Sequence, residues 1–271
     1  MPELPEVETT LRGIQPHIEQ QKITRVTVRH HGLRWPIPSN INELVKNQKI
    51  LAVYRRGKYL LFKTKQGHII VHLGMSGSLR ILTKSTVALK HDHVDLEFAN
   101  HVILRYTDPR RFGAFLWTDE DPALHPLLKN LGPEPLSKDF SGKYLWQRAQ
   151  GRKVPVKSLI MDSKIVVGVG NIYAAEALFA AGIHPTAAAG KIPLERFNKL
   201  ALEIKKILTA AIKKGGTTLK DFLKSDGKPG YFSQSLKVYG RAGLPCVKSK
   251  TTLEEMRLGQ RSTVFCPKCQ K

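Results

Sequence analysis

Acidic residues are scarce in this chain. Its 271 residues hold 22 Asp and Glu against 44 Lys and Arg, a formal net charge of +22. So large an excess of one sign points to a polyanionic partner, and nucleic acid is the first candidate. An anionic membrane surface fits less well, because no basic amphipathic helix stands apart from the globular pattern. Long apolar runs are missing too, so no segment reads as a membrane span. The acidic start, with Glu3 and Glu6, lacks the basic-then-apolar layout of a secretory signal. The expectation is a cytoplasmic protein with no membrane partner, acting as a monomer. Cysteine is nearly absent: Cys246, Cys266 and Cys269 fall within the last 26 residues. That distribution argues against a disulfide framework and for a metal site. Internal repeats and low-complexity tracts are absent as well. What remains is 41% hydrophobic, enough for a core, at a length that suits two domains.

The stretch Met1-Pro2-Glu3-Leu4-Pro5-Glu6-Val7-Glu8 carries the first chemistry. Removal of the initiator methionine would leave Pro2 as a secondary amine. A terminal amine titrates near ~8, so far more of it is neutral at pH 7 than of a lysine near ~10.4. A helix is predicted directly behind it. Pro5 suits a first helical position, Glu6 and Glu8 suit a first turn, and Val7, Leu11, Ile14 and Ile18 recur on one face. The positive end of that helix favours the neutral, nucleophilic amine. Glu3 and Glu6 lie close in sequence as proton carriers. A Pro-Glu pair by itself would only mark a helix start.

From residue 22 to residue 117 the pattern is β. Strands are predicted over 23–28, 50–54, 59–63, 68–73, 78–82, 93–98, 102–106 and 114–117, several with clean alternation, as in Val94, Leu96 and Phe98. Connections this short cannot make parallel crossovers, so an antiparallel sandwich or flattened barrel is expected. Prolines 122, 126, 133 and 135 then break the pattern. Helical periodicity follows over 144–149, 156–161, 171–181 and, most clearly, 193–214, with a short helix at 219–223. The fold class is therefore α+β, divided as residues 1–131, a linker at 132–140, a helical domain at 141–236 and a hairpin-sized end at 237–271.

Further chemistry is scattered. Lys58 follows Gly57 at a strand start, where a lysine is usually a solvated edge charge. Met75, in Gly74-Met75-Ser76-Gly77, could fill a gap or project as an apolar wedge. Thr107-Asp108-Pro109-Arg110-Arg111-Phe112-Gly113 is a turn that presents two guanidinium groups and a ring. His91 and its neighbours Asp92 and His93 could be metal ligands by composition. Asn171, after Gly168-Val169-Gly170, is a good N-cap, and a helix start with free N–H groups binds phosphate. Cys266-Pro267-Lys268-Cys269 is intact, while Cys246-Val247-Lys248-Ser249 puts a hydroxyl at the fourth position, a poor zinc ligand.

These motifs together resemble the formamidopyrimidine-DNA glycosylases, and the resemblance runs from end to end of the chain. It implies an N-terminal catalytic helix and β-sandwich, a helix–two-turn–helix and a zinc-finger-like β-hairpin. It implies a base-excision enzyme for duplex DNA containing an oxidised base, 8-oxoguanine or a formamidopyrimidine. Pro2 would be the nucleophile that forms a Schiff base, Glu3 the general acid, and Lys58 an aid to elimination. Arg261 would contact phosphate and finish a β,δ-elimination, with Glu6 supporting the site. Met75 and Phe112 would wedge into the stack while Arg110 reads the unpaired base. His91, Arg152 and Asn171 would hold phosphates, and residues 225–234 would close over the flipped base. The resemblance favours the purine-excising branch over its sister for oxidised pyrimidines, or over a non-catalytic damaged-DNA binder. The family's zinc ligands would be Cys246, Cys266 and Cys269, and Ser249 in place of the fourth cysteine leads to the expectation of weakly held or absent zinc. No organic cofactor is expected.

Overall fold

The computed structural model describes residues 2–84, 86–217 and 235–271, which form two compact units. One contains residues 2–130 with 214–217, and the other contains 131–213 with 235–271. The predicted short helix at 219–223 and the predicted lid at 225–234 lie outside the described residues.

The first unit opens with helix α1 (Leu4–Ile18). Its Val7, Leu11, Ile14 and Ile18 are buried, as the spacing predicts. Eight strands follow: β1 (Ile23–Val28), β2 (Ala52–Arg56), β3 (Tyr59–Lys63), β4 (His68–His72), β5 (Ser78–Leu82), β6 (Asp92–Phe98), β7 (Ile103–Thr107) and β8 (Ala114–Thr118). They make two antiparallel sheets of four, ordered β1-β6-β7-β5 and β2-β3-β4-β8. Inward side chains of both sheets, among them Leu60, Phe62, Val71, Leu96, Leu104 and Phe115, join the apolar face of α1 in one core. A five-residue helix, α2 (Ile41–Val45), was not anticipated. One turn carries too little periodicity to stand out.

On the face of the sheet β1-β6-β7-β5 turned away from that core sits a buried ion network. Arg105 grips Asp95 with Nε and Nη2, each at 2.8 Å, and reaches Asp92 at 3.3 Å. Arg29 and Arg80 cover the same carboxylates from the outside. Burial alone would raise both carboxyls, but hydrogen bonds and the arginine charges hold Asp92 and Asp95 below the usual carboxylate range.

The second unit holds α3 (Gly142–Ala149), α4 (Val156–Met161), α5 (Asn171–Ala181), α6 (Leu194–Lys213) and a hairpin of β9 (Glu254–Leu258) and β10 (Arg261–Phe265). Residues 132–140, read as a linker, pack within this unit. Helix α5 is buried on nearly every side, and its Ala175 and Phe179 share a small core with Val238, Cys246, Leu253, Val264 and Cys266. Glu176 of the same helix is buried and accepts the backbone N–H groups of Lys237, Val238 and Tyr239 at 2.9–3.1 Å. Burial raises its carboxyl above the ordinary range despite those bonds.

Candidate active site

The first unit gathers Pro2, Glu3 and Glu6. Pro2 is buried, and Glu3 and Glu6 are 1% and 0% exposed. Glu3 stands at the N-cap of α1 and Glu6 at its third helical position. Glu6 Oε2 accepts the Glu3 N–H at 2.9 Å, and Oε1 accepts the Thr217 N–H at 2.8 Å. Gly216, with φ +77, approaches so closely that a Cβ there would lie 2.9 Å from Glu6 Oε1. A two-acceptor carboxylate therefore fixes the backbone next to Pro2 and ties it to a segment over two hundred residues downstream.

Lys58 occupies the two-residue turn between β2 and β3, half-buried. Strand β2 is fastened to α1 by Arg55, whose Nε donates to Glu8 at 2.9 Å. Across β3, Tyr59 stands opposite His72 on β4, their rings 4.7 Å apart. Burial, then the charges of Lys58 and Arg34, lower the His72 imidazole to about 4, against the opposing pull of Asp108. Its Nδ1 accepts the Gly74 N–H at 3.0 Å, which agrees with a neutral ring.

Two turns then meet around Asp108. Its Oδ1 accepts the Ser76 hydroxyl at 2.8 Å, and Oδ2 accepts the Gly113 N–H at 2.9 Å and the Tyr106 hydroxyl at 3.1 Å. Ser76 Oγ in turn accepts the Arg110 N–H at 3.2 Å. The methionine turn 74–77 and the arginine turn 108–113 are thereby one assembly. Gly74, at φ +59, passes so near that a Cβ would fall 2.5 Å from the Phe112 carbonyl carbon. Met75 emerges half-buried from this assembly, and Arg110 and Phe112 are exposed, the guanidinium carbon 5.0 Å from the ring centroid. Asp108 was legible only as part of a turn; its role as hub was not. The His91 carbonyl accepts the Asp108 N–H at 3.0 Å, which places half-buried His91 beside the same turn.

The second unit carries the other basic residues. Arg152 is exposed in the turn after α3. Asn171 is the first residue of α5 and not its N-cap: Gly170 takes that place, without a side-chain cap. The Asn171 amide is used elsewhere. Its Nδ2 donates to the Ser262 carbonyl at 3.0 Å, and its Oδ1 accepts from Lys157 Nζ at 2.7 Å. Lys157, 2% exposed, also donates to Thr263 Oγ1 at 2.7 Å. Sequence reasoning missed this lysine, since position 157 reads as one polar residue in a short helix. Lys157 and Asn171 join α4, α5 and β10 just beside Arg261. A cavity of about 430 Å³ opens there, lined by Met161, Asp162, Gly259, Gln260 and Arg261 among others.

At the base of the hairpin the sulfurs of Cys246, Cys266 and Cys269 lie within 4.8 Å of one another. Cys246 and Cys269 are 3.8 Å apart, and Ser249 Oγ is 3.3 Å from Cys266 Sγ. Zinc–sulfur bonds of about 2.3 Å in a tetrahedron put sulfurs about 3.8 Å apart, so the donor set fits zinc. Burial pushes the Cys246 thiol up, but Ser249 and the Lys248 N–H outweigh it and bring it down to about 6. A thiolate is the form that binds metal. The expectation that zinc could be absent finds no support in this arrangement.

Comparison with known proteins agrees with these observations over the whole chain. Residues 1–115 match the model of the formamidopyrimidine-DNA glycosylase N-terminal domain. Residues 131–223 match that of its H2TH domain, and residues 243–271 match a zinc finger found in FPG and IleRS. The chain is 58% identical to the formamidopyrimidine-DNA glycosylase of Marinobacter nauticus, with 100% of each covered. Among solved structures, a Lactococcus lactis FPG mutant in complex with Fapy-dG-containing DNA superposes with a TM-score of 0.92 at 32% identity, covering 100% of both chains. The MutM (FPG) protein of Thermus thermophilus gives 0.89 at 36%, covering 99% of this chain and 98% of that one. With its N-terminal domain, its helix–two-turn–helix and its cysteine-clasped hairpin all matched, the chain belongs to the formamidopyrimidine-DNA glycosylase family.

Proposed function

We propose that the Pro2 amine is the nucleophile of this DNA-repair glycosylase for oxidised purines. The observation that carries the reading is the placement of Pro2 and Glu3, buried together at the start of α1 and clamped by Glu6. Free of its methionine, the amine attacks C1′ of the damaged nucleotide and expels the base, which Glu3 protonates. The iminium so formed acidifies the C2′ hydrogens. Loss of one breaks the C3′–O bond, and a second elimination breaks the C5′–O bond, cutting the strand on both sides of the sugar. Lys58 assists the first elimination, and Arg261, holding a phosphate, assists the second. A base must leave the stack to be reached. Met75 and Phe112 enter the gap and Arg110 pairs with the orphaned base, its fork of donors suited to the acceptors of cytosine. His91, Arg152 and Asn171 hold the backbone.

The working division is residues 1–131 for chemistry and wedge, 141–236 for the helical domain and 237–271 for the metal hairpin, with 132–140 between them. Zinc held by Cys246, Cys266 and Cys269, with Ser249 or water at the fourth position, stabilises that hairpin. Among the described residues no helix is long and apolar enough to cross a membrane, and we place the protein in the cytoplasm, acting on DNA as a monomer.

Borohydride reduction in the presence of duplex DNA bearing 8-oxoguanine tests the chemistry. A covalent protein–DNA adduct that depends on the free Pro2 amine is expected. Equal trapping by a protein that keeps its initiator methionine would exclude Pro2. A non-catalytic binder would give no adduct with any lesion.

A further inference from the structure

We propose that Arg111 and His30 form a latch that aims Arg110 and Phe112, which makes both of them positioning residues for recognition of the base opposite the lesion. The inference rests on the reading of Arg110 given above. It starts from a backbone outlier: Arg111 has φ +56, in the left-handed region. Such a residue is normally glycine or asparagine, because a Cβ is strained there. An arginine persists in that conformation only where its surroundings hold it, and such outliers cluster at functional sites.

Two bonds hold it here. The Arg111 N–H closes the turn onto the Asp108 carbonyl at 3.2 Å. Its Nη1 reaches His30 Nε2 at 2.8 Å. A guanidinium has no acceptor, so it donates, and His30 must present the Nε2 lone pair. The His30 ring rests 5.5 Å from that of His93, whose own Nε2 lies 2.8 Å from the Asp108 carbonyl oxygen. The latch therefore returns to the same aspartate that gathers the two turns. Left-handed geometry at Arg111 reverses the chain between its neighbours. That reversal lets Arg110 and Phe112 stand side by side, 5.0 Å apart, on the exposed edge of the turn. If Arg111 relaxed into an ordinary conformation, the two probes would diverge.

The test compares kcat/KM for 8-oxoguanine opposite cytosine with that opposite adenine, using the full-length, zinc-loaded protein. Arg110→Ala should collapse the ratio. His30→Phe keeps a ring against His93 but removes the acceptor, and should shrink the ratio about fivefold, the worth of one hydrogen bond. His30→Gln restores an acceptor and should bring the ratio back to within about twofold, as a hydrogen bond of similar strength is regained. Affinity for undamaged duplex should change by less than about twofold, since phosphate contacts elsewhere supply it. In the free protein, an Arg111 Nη1–H resonance should be resolved and slow to exchange in the wild type and lost in His30→Phe. If Arg110→Ala collapses the ratio while His30→Phe leaves it intact, the latch is wrong and the reading of Arg110 stands. If Arg110→Ala leaves the ratio intact, the reading of Arg110 falls and the latch falls with it. A loss of affinity for undamaged duplex in His30→Phe, with the ratio unchanged, would mark the pair as an ordinary phosphate contact and overturn the proposal.

Discussion

Glu6 spends each of its two oxygens on a different backbone N–H, that of Glu3 and that of Thr217. In Glu6→Gln one of those N–H groups would face an amide NH₂. The expected cost is about 1–3 kcal/mol, the penalty of an unsatisfied buried donor, seen as a lowered Tm together with weaker borohydride trapping. Pro2→Gly replaces the secondary amine with a primary one. It should lose most trapping while its affinity for lesion-bearing duplex stays within a few-fold, as gel shift would show; full retention of trapping would remove Pro2 from the mechanism. Pro2, Glu3 and Glu6 were legible because they sit in one octet whose order carries the signal. Asp108 was not, since its partners Ser76, Tyr106 and Gly113 meet it only once β5 and β7 have paired and two turns have closed. Position 108 in sequence is just the residue before a proline.

The helices and strands were predicted closely wherever alternation or a 3.6-residue period ran for a full element. Predicted strands 23–28, 59–63 and 78–82 match β1, β3 and β5 to the residue. The misreading of Asn171 is instructive. Its type fits an N-cap, but a tertiary partner, Lys157, claims the side chain, and Gly170, one residue earlier, is the cap of a helix whose predicted bounds of 171–181 hold. Removing that partner in Lys157→Met leaves Asn171 Oδ1 and Thr263 Oγ1 without their buried donor. Thermal unfolding should show a loss of about 1–3 kcal/mol. Strand cleavage after base release should suffer more than base release itself, because Arg261 lies on the strand that Lys157 holds. Equal loss in both steps would refute that link. The metal hairpin gives a further measurable expectation. Zinc in a four-cysteine site is closed, whereas Cys246, Cys266 and Cys269 leave a position for Ser249 or water. Ser249→Cys should retain zinc against a competing chelator at least about tenfold better and raise the Tm. Equal retention by both proteins would show Ser249 to be an adequate ligand.

Across the whole chain the +22 charge was the first clue, and it dictates behaviour in salt. Each phosphate neutralised contributes about −0.9 to the slope of log affinity against log salt. A slope steeper than about −3 is expected for undamaged duplex; a flat response would deny the basic surface its role. Acid should act on the β-sandwich through Asp92 and Asp95. Their folded carboxyls titrate below the unfolded value near ~3.9, so the stability they supply is intact above that value and drains away as pH falls through the folded ones. Asp95→Asn should flatten the dependence of unfolding on pH below about 4, and an unchanged acid limb would place the effect elsewhere. The paired sheets of this unit followed from short connections and alternation, whereas the network of Arg105 on the outer face of one of them could not be seen from residues lying ten or more positions apart. One consequence of the Glu6 clamp concerns the order in which the ribosome delivers the chain. Pro2 and Glu6 are made first and Thr217, which completes the clamp, is made when four-fifths of the message has been read. A nascent chain thus carries Pro2 through most of synthesis with one oxygen of Glu6 still lacking this donor, and a polypeptide truncated before that point keeps Pro2 but never gains the second half of the clamp behind it.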